Sequence, residues 1–274
     1  SGPGLVPRFP TGAKGLRELA LSPDHSVLAA VAFFDGTVRL MDPSRFTLAS
    51  TLPLSSEPVT PTLVRQGEML FHDAHLAFQT WMSCATCHHE GRTDGLNWDL
   101  LNDGIGNPKN TKSLLDVTRT EPMTWLGARE DHLLSIKKGM HFLVSESSDE
   151  KVTAIAAYFD SLQPEPSPHA FPEALLEQGE KVFQKLDCAY CHSGPLLTDL
   201  KKHDVGTWSK EDGYAPYDTP SLREIWRTAP YLHDGSADTL ADALIASDPY
   251  QEHSKAADLD TADFEALVAY LLNL

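Results

Sequence analysis

Long apolar stretches are missing from this sequence of 274 residues. No run approaches the roughly 18 to 20 apolar residues that a membrane span needs, so a globular chain without a span is expected. Positive charge is scarce. Lys and Arg number 22 against 39 Asp and Glu, and the net charge of −17 argues against nucleic acid and favours a basic or neutral partner. The opening Ser1-Gly2-Pro3-Gly4-Leu5 has neither the basic nor the apolar region of a signal peptide, so the chain reads as mature or truncated. Sulfur is scarce too: there are four cysteines and five methionines, none of the latter beyond Met140.

All four cysteines fall in two copies of one pattern, Cys84-Ala85-Thr86-Cys87-His88 and Cys188-Ala189-Tyr190-Cys191-His192. C-x-x-C-H is the attachment signature of haem c. Two thiols add across the two vinyl groups on one edge of the porphyrin, and the adjacent histidine becomes the proximal iron ligand. His88 and His192 are therefore expected to bind iron, and two covalent haems are the expected cofactors. A zinc site does not require a histidine directly after each cysteine pair, and a thioredoxin-like motif needs a βαβ context that is missing here. Paired disulfides are the remaining alternative for a secreted chain. Haem c is attached outside the cytoplasm, so a periplasmic or extracellular bacterial location is expected.

The text repeats. Gln66-Gly67-Glu68 precedes the first cysteine pair and Gln178-Gly179-Glu180 the second. Thr111-Lys112-Ser113-Leu114 answers Thr219-Pro220-Ser221-Leu222, and Arg119-Thr120-Glu121-Pro122 answers Arg227-Thr228-Ala229-Pro230. Both copies close on a helical pattern. Ser148 is the expected N-cap of the first, with Val152, Ile155, Ala156 and Phe159 on its apolar face. Thr261 heads the second, with Phe264, Leu267, Val268 and Leu271. Between them, Gln163-Pro164-Glu165-Pro166-Ser167-Pro168 cannot be helical. The expected fold is mainly α: a short antiparallel β segment over 1–60, then two tandem cytochrome c-like domains over 61–163 and 164–274.

The β segment is read from Leu19-Ala20-Leu21, Val27–Ala32 and Thr37–Asp42, with Asp35-Gly36 as a turn. It resembles one blade of a YVTN- or WD-type propeller, which needs about four or more blades to close.

The doubled C-x-x-C-H with these flanks resembles the bacterial diheme cytochrome c peroxidase family, which includes MauG-type enzymes, over residues 63 to 274. The resemblance implies that one haem meets peroxide while the other relays electrons past a tryptophan. That tryptophan follows a family asparagine by fifteen residues, as Trp125 follows Asn110 here, with Gly127 completing W-x-G. It also implies a calcium ion held by that asparagine and by a T-x-P segment, matched by Asn110, Thr228 and Pro230. A family glutamate that assists proton transfer to peroxide is matched by Glu146, with Gly139 upstream.

Several positions depart from the family. Ile136 replaces a glutamine and Met140 a proline, which makes Met140 and His141 candidate distal ligands of the first iron. Asn102 stands where many members supply a histidine. Ser247 replaces the methionine or tyrosine ligand of the second iron, leaving His253 or Tyr250 as its candidates. The resemblance implies an oxidoreductase that reduces hydrogen peroxide, or performs MauG-like oxidation, with a small redox protein as donor or acceptor. The alternative is a non-catalytic electron-transfer module of a larger propeller protein. His233 is read as shaping its turn.

Overall fold

A computed structural model describes residues 11–57, 60–100, 106–208, 210–213, 216–246 and 253–274. Two compact units divide the chain, Ser1–Arg65 and Gln66–Leu274.

The first unit holds an antiparallel meander. β1 (Leu16–Leu21), β2 (Leu28–Ala32), β3 (Thr37–Asp42) and β4 (Thr47–Pro53) lie side by side in chain order. The register runs Leu16 to Ala32, Ala32 to Thr37 and Thr37 to Pro53. Turn chemistry sets the connections. The Asp24 carboxylate accepts from Ser22 Oγ at 2.6 Å and from the Ser26 N–H at 3.1 Å, and Gly36 takes the left-handed φ of 62° that the Asp-Gly turn requires. The sequence reading stops at Asp42, and the structure adds β4. Its Thr47-Leu48-Ala49-Ser50-Thr51-Leu52 has too little apolar periodicity to announce itself, and the whole strand is exposed. Arg65 closes the unit, its guanidinium 3.8 Å from the centroid of the Phe33 ring while it donates to the Phe33 carbonyl at 2.8 Å.

The second unit is helical. In its first half come α1 (Leu63–His72, which begins before the unit boundary), α2 (Cys84–Cys87), α3 (His132–Phe142) and α4 (Asp149–Asp160). Its second half holds α5 (Glu173–Lys185), α6 (Cys188–Cys191), α7 (Leu240–Ala246) and α8 (Thr261–Asn273). Ser148 caps α4 as expected, accepting from the Lys151 N–H, and Val152, Ile155 and Phe159 are buried. At α8 the cap is Asp260, one residue before Thr261, because its carboxylate reaches the Asp263 N–H at 2.9 Å. Leu267 and Leu271 are buried as expected, joined by Ala266 and Ala269.

Each half has its own core. Phe71, Ile136, Met140, Val152, Ile155 and Phe159 form one; Val182, Phe183, Leu222, Leu240, Leu267 and Leu271 belong to the other. The repeated Gln-Gly-Glu now has a physical reason. A Cβ on Gly67 would lie 1.8 Å from the Ala154 carbonyl oxygen of α4, and one on Gly179 would lie 2.1 Å from that of Ala266 in α8. Only glycine lets these helix backbones approach so closely.

The halves also clasp each other in matching ways. Asp116 and Glu224 hold equivalent places, each in the left-handed region before a short 3-10 turn. Asp116 takes Arg223 from the opposite half at 2.5 Å, and Glu224 takes Arg92 at 2.6 Å. Two small ladders flank the junction: β5 (Asn97–Trp98) with β6 (Lys109–Asn110), and β7 (Lys202–His203) with β8 (Tyr217–Asp218). No described helix is long and apolar enough to cross a membrane.

Candidate functional site

The single helical turn of α2 puts Cys84 and Cys87 three residues apart, so the two thiols share a face. His88 ends the turn, its N–H bonded to the Cys84 carbonyl at 3.0 Å. Its Nδ1 meets the carbonyls of Arg92 at 3.2 Å and Lys112 at 3.1 Å. Carbonyls only accept, so Nδ1 carries the proton and Nε2 keeps the lone pair a metal needs. The second copy repeats this: His192 ends α6, and its Nδ1 donates to the Leu197 carbonyl at 3.3 Å.

Electrostatics agree with that role. Burial pulls the His88 imidazole below its usual value, against the opposing carbonyl bonds. His192 is pushed down to about 4, first by burial and then by the charge of His253. Both rings are thus held in the neutral, ligating form. The four cysteines form no disulfide, and burial pushes Cys84, Cys87 and Cys188 up to about 11.

Two large clefts open at these motifs. The first, of about 1260 Å³ counting space open to solvent, is lined by Cys84, Cys87 and His88, with Arg129 and Ser135 on its wall. The second, of about 1230 Å³ on the same basis, is lined by His192, His233 and His253. Free thiols one helical turn apart and an oriented neutral imidazole beside an open cleft fit haem c. At the second cleft His192 is in the lining while Cys188 and Cys191, on α6, are not.

A single wall separates the clefts. Asn110, Thr111, Lys112, Ser113, Thr120 and Trp125 line both. The Trp125 indole is fixed by a 2.7 Å hydrogen bond from Nε1 to the Asn110 carbonyl. Lys112 reaches across the halves to Asp218 at 2.9 Å, and burial raises the Asp218 carboxyl despite the neighbouring lysine charge.

Known proteins resemble this chain in sequence and fold. The family model described as di-haem cytochrome c peroxidase matches residues 61–164, and a RoxA-like, cytochrome c-like model matches residues 216–251. The chain is 30% identical to the hydrazine synthase subunit gamma of Kuenenia stuttgartiensis, covering 78% of each. It is 26% identical to the methylamine utilization protein MauG of Methylophilus methylotrophus, covering 78% of this chain and 81% of that one.

The chain belongs to the di-haem cytochrome c peroxidase/MauG family.

Solved structures bear on the fold. A chain of Kuenenia stuttgartiensis hydrazine synthase under xenon pressure superposes with a TM-score of 0.69 at 28% identity, over 80% of this chain and 89% of that one. A MauG-like protein associated with microbial copper homeostasis gives 0.61 at 21% identity, over 80% and 90%, a likeness of fold. As a member of this family the chain is a haem c oxidoreductase of the cytochrome c peroxidase type.

The structure places the expected residues unevenly. Trp125 and Asn110 share the wall, and Thr228 and Pro230 line the second cleft beside Asn110. The Asn110 amide nitrogen contacts the Pro230 carbonyl and lies 3.4 Å from that of Leu232, while its buried Oδ1 finds no hydrogen-bond partner among the described residues. His253 is exposed yet lines the cleft of His192. Glu146, Met140 and His141 are absent from the first cleft's lining. Glu146 is exposed on the loop after α3, His141 is exposed, and Met140 lies in the core at 1% exposure. The thioethers that line the first cleft are those of Met82 and Met123. Asn102, Ser247 and Tyr250 lie outside the described residues. His233 stands in a turn and is buried; its ring stacks on Tyr217 at 4.4 Å and meets Asp212 at 3.3 Å.

Sequence reading missed Lys112 and Asp218. The signal was available: Lys112 stands where the other copy has Pro220.

Proposed function

We propose that this protein reduces peroxide at a haem held by Cys84, Cys87 and His88, drawing electrons through a second haem held by Cys188, Cys191 and His192. The observation that carries this reading is that Trp125 lines both clefts. Bound haem would supply iron that exchanges single electrons and reacts with peroxide.

The chain's own residues do the rest. Trp125 offers an oxidisable ring on the shared wall. Arg129, donating to Ser135 Oγ at 3.2 Å, places cationic hydrogen-bond donors on the wall of the first cleft, where a leaving oxygen needs them. His253, on the lining of the second cleft, would offer a further imidazole nitrogen to the second iron. Residues 61–163 and 164–274 act as tandem cytochrome c-like domains, each with one haem. A calcium ion belongs at the junction, where the unpartnered Asn110 Oδ1 and the Pro230 carbonyl offer hard oxygen donors, with Thr228 adjacent. The donor is a small redox protein, drawn to an acidic chain of net charge −17, and the location is the periplasm.

The test is peroxide-dependent oxidation of a reduced small redox protein by the haem-loaded chain. Turnover in the wild type and its loss in Trp125→Phe with both haem spectra intact are expected. No reaction with peroxide in any redox state would end the reading.

A further inference from the structure

The shared wall is built from two near-copies facing each other. Asn110-Thr111-Lys112-Ser113-Leu114 matches Asp218-Thr219-Pro220-Ser221-Leu222, and the turn holding Trp125 matches the turn holding His233. Equivalent bridges close the two turns, Met123 with Arg129 and Tyr231 with Ala237. The Asn110 N–H donates to the His233 carbonyl at 2.8 Å, and the Asp218 N–H donates to the Trp125 carbonyl at 2.8 Å. Each node sets one buried side chain, Asn110 or Asp218, against the turn of the opposite half.

The nodes differ in what fills them. At the Asp218 node stands the ammonium of Lys112, 2.9 Å from Asp218 Oδ2 and 3.5 Å from the Thr124 carbonyl. Thr124 is the counterpart of Leu232, whose carbonyl faces the Asn110 amide. Pro220 occupies the matching place in the other half, so no ammonium reaches the Asn110 node from there. The same Lys112 Nζ lies 5.3 Å from the centroid of the Trp125 ring. Its backbone carbonyl accepts from His88 Nδ1. One residue thus touches the Trp125 ring, the proximal histidine of the first cleft and the counter-ion of the opposite half.

We propose that Lys112 is the built-in cation of the Asp218 node and that it sets the energy of oxidised Trp125, with Asp218 as its counter-ion. This rests on the reading that Trp125 passes charge between the clefts. In that event, driven by peroxide as oxidant, the indole gives one electron towards the first cleft and takes one from the side of the second. Between the two transfers the ring carries a positive charge. Its Nε1 proton stays in the bond to Asn110, so only the electron moves.

A neutral indole attracts an ammonium over its face, whereas an oxidised one repels it. Lys112 therefore makes the ring harder to oxidise. Asp218, with its side chain 3% exposed, offsets that field from within a region of low dielectric. Lys202 and Asp199 also act on Asp218, in opposite directions. The pair is a positioning and tuning device; neither residue is assigned contact with substrate.

The experiment uses the haem-loaded chain and four variants: Lys112→Met, Lys112→Arg, Asp218→Asn and Trp125→Phe. The inter-haem electron-transfer rate is followed by stopped flow after peroxide is mixed with the reduced protein, and ultraviolet resonance Raman spectra give the Trp125 signal by difference from Trp125→Phe. Lys112→Met should raise the rate by roughly tenfold, the change expected for about 1.4 kcal/mol. It should also abolish the cation–π signature of Trp125, which Lys112→Arg should keep. Asp218→Asn should lower the rate.

Opposite signs for Lys112→Met and Asp218→Asn are what a purely structural role would not produce. Changes of the same sign, or none, with Trp125→Phe slowed, overturn this inference and leave the Trp125 reading standing. An unaltered rate in Trp125→Phe overturns both. Should Lys112→Met fail to take up haem, Asp218→Asn decides: a slowed rate supports the tuning, and an unchanged or faster one overturns it.

Discussion

Arg92 and Glu224, 132 residues apart, meet as a two-point ion pair with Nε to Oε2 at 2.6 Å and Nη2 to Oε1 at 2.9 Å. Both side chains are buried, and each belongs to a different half of the helical unit. The backbone N–H of Glu165, in the proline-rich connection, also donates to Glu224. Arg92 reaches the Gln163 carbonyl in the same connection at 2.9 Å. Removing one partner strands a buried charge, which costs about 3 to 5 kcal/mol. Arg92→Leu should accordingly lower the denaturation midpoint more than Arg227→Leu, whose nearer partners Glu90 and Glu165 are exposed and which stands 3.9 Å from Glu224.

The same pair gives an acid limb to stability. Burial raises the Glu224 carboxyl, but the Arg92 bond and the nearby cations outweigh it, so its folded value lies below the ordinary one. A group depressed on folding adds stability that is complete above its unfolded value, about 4.3, and is lost as pH falls through the folded value. Wild-type stability should fall below about pH 4.3. Glu224→Gln should flatten that limb, as read by urea midpoints across pH 3 to 7.

Gly179→Ala should destabilise the chain although alanine is the better helix former. An added Cβ would stand 2.1 Å from the Ala266 carbonyl oxygen and 2.6 Å from the Tyr270 Cβ, so α5 and α8 must separate. Overpacking of this kind costs about 1 to 3 kcal/mol. A melting temperature equal to wild type would mean that the helices slide apart freely.

Much of this was legible in the text because it is local. The haem motifs occupy five residues each, and the apolar period of Val152, Ile155 and Phe159 marks α4 directly. Trp125 was reachable only through the family resemblance, which sets a tryptophan fifteen residues after the residue matched by Asn110. The face that a helix turns towards a cleft was not. In α3, Ser135, Gly139 and Phe142 line the first cleft, whereas Ile136 and Met140, one residue on from the first two, turn into the core. Position along α3 drew attention to Met140, while rotation about its axis decides what Met140 touches. Lys112 and Asp218 are 106 residues apart, and nothing within either segment announces a partner across the wall.

Asn110 carries a prediction about metal. Its Oδ1 is buried without a hydrogen-bond partner among the described residues, close to carbonyls that accept but cannot donate. Calcium binding there should raise the melting temperature. An excess of 100 times Kd adds about 2.7 kcal/mol. A chelator should reverse the gain, and Asn110→Ala should abolish the response. Equal melting curves with calcium and with chelator in the wild type would remove the ion from this site.

His253 is the last residue to test, because the second iron has no other nitrogen candidate read from the sequence. Its ring lines the cleft of His192, and its charge is second only to burial in depressing that imidazole, so the two rings are neighbours. His253 is also exposed, in the segment between α7 and α8, where a short 3-10 turn at Ala256–Asp258 follows it. An imidazole delivered from such a segment can close a haem without support from the core. Two nitrogen ligands make a haem low-spin, and loss of one leaves it five-coordinate and high-spin. His253→Ala should convert the second haem from low-spin to high-spin in electron paramagnetic resonance, leaving the first unchanged. Added imidazole should restore the low-spin signal, which separates a lost ligand from a collapsed cleft. A low-spin signal that persists in His253→Ala without imidazole would exclude His253 from the iron and make Tyr250 the next variant to prepare.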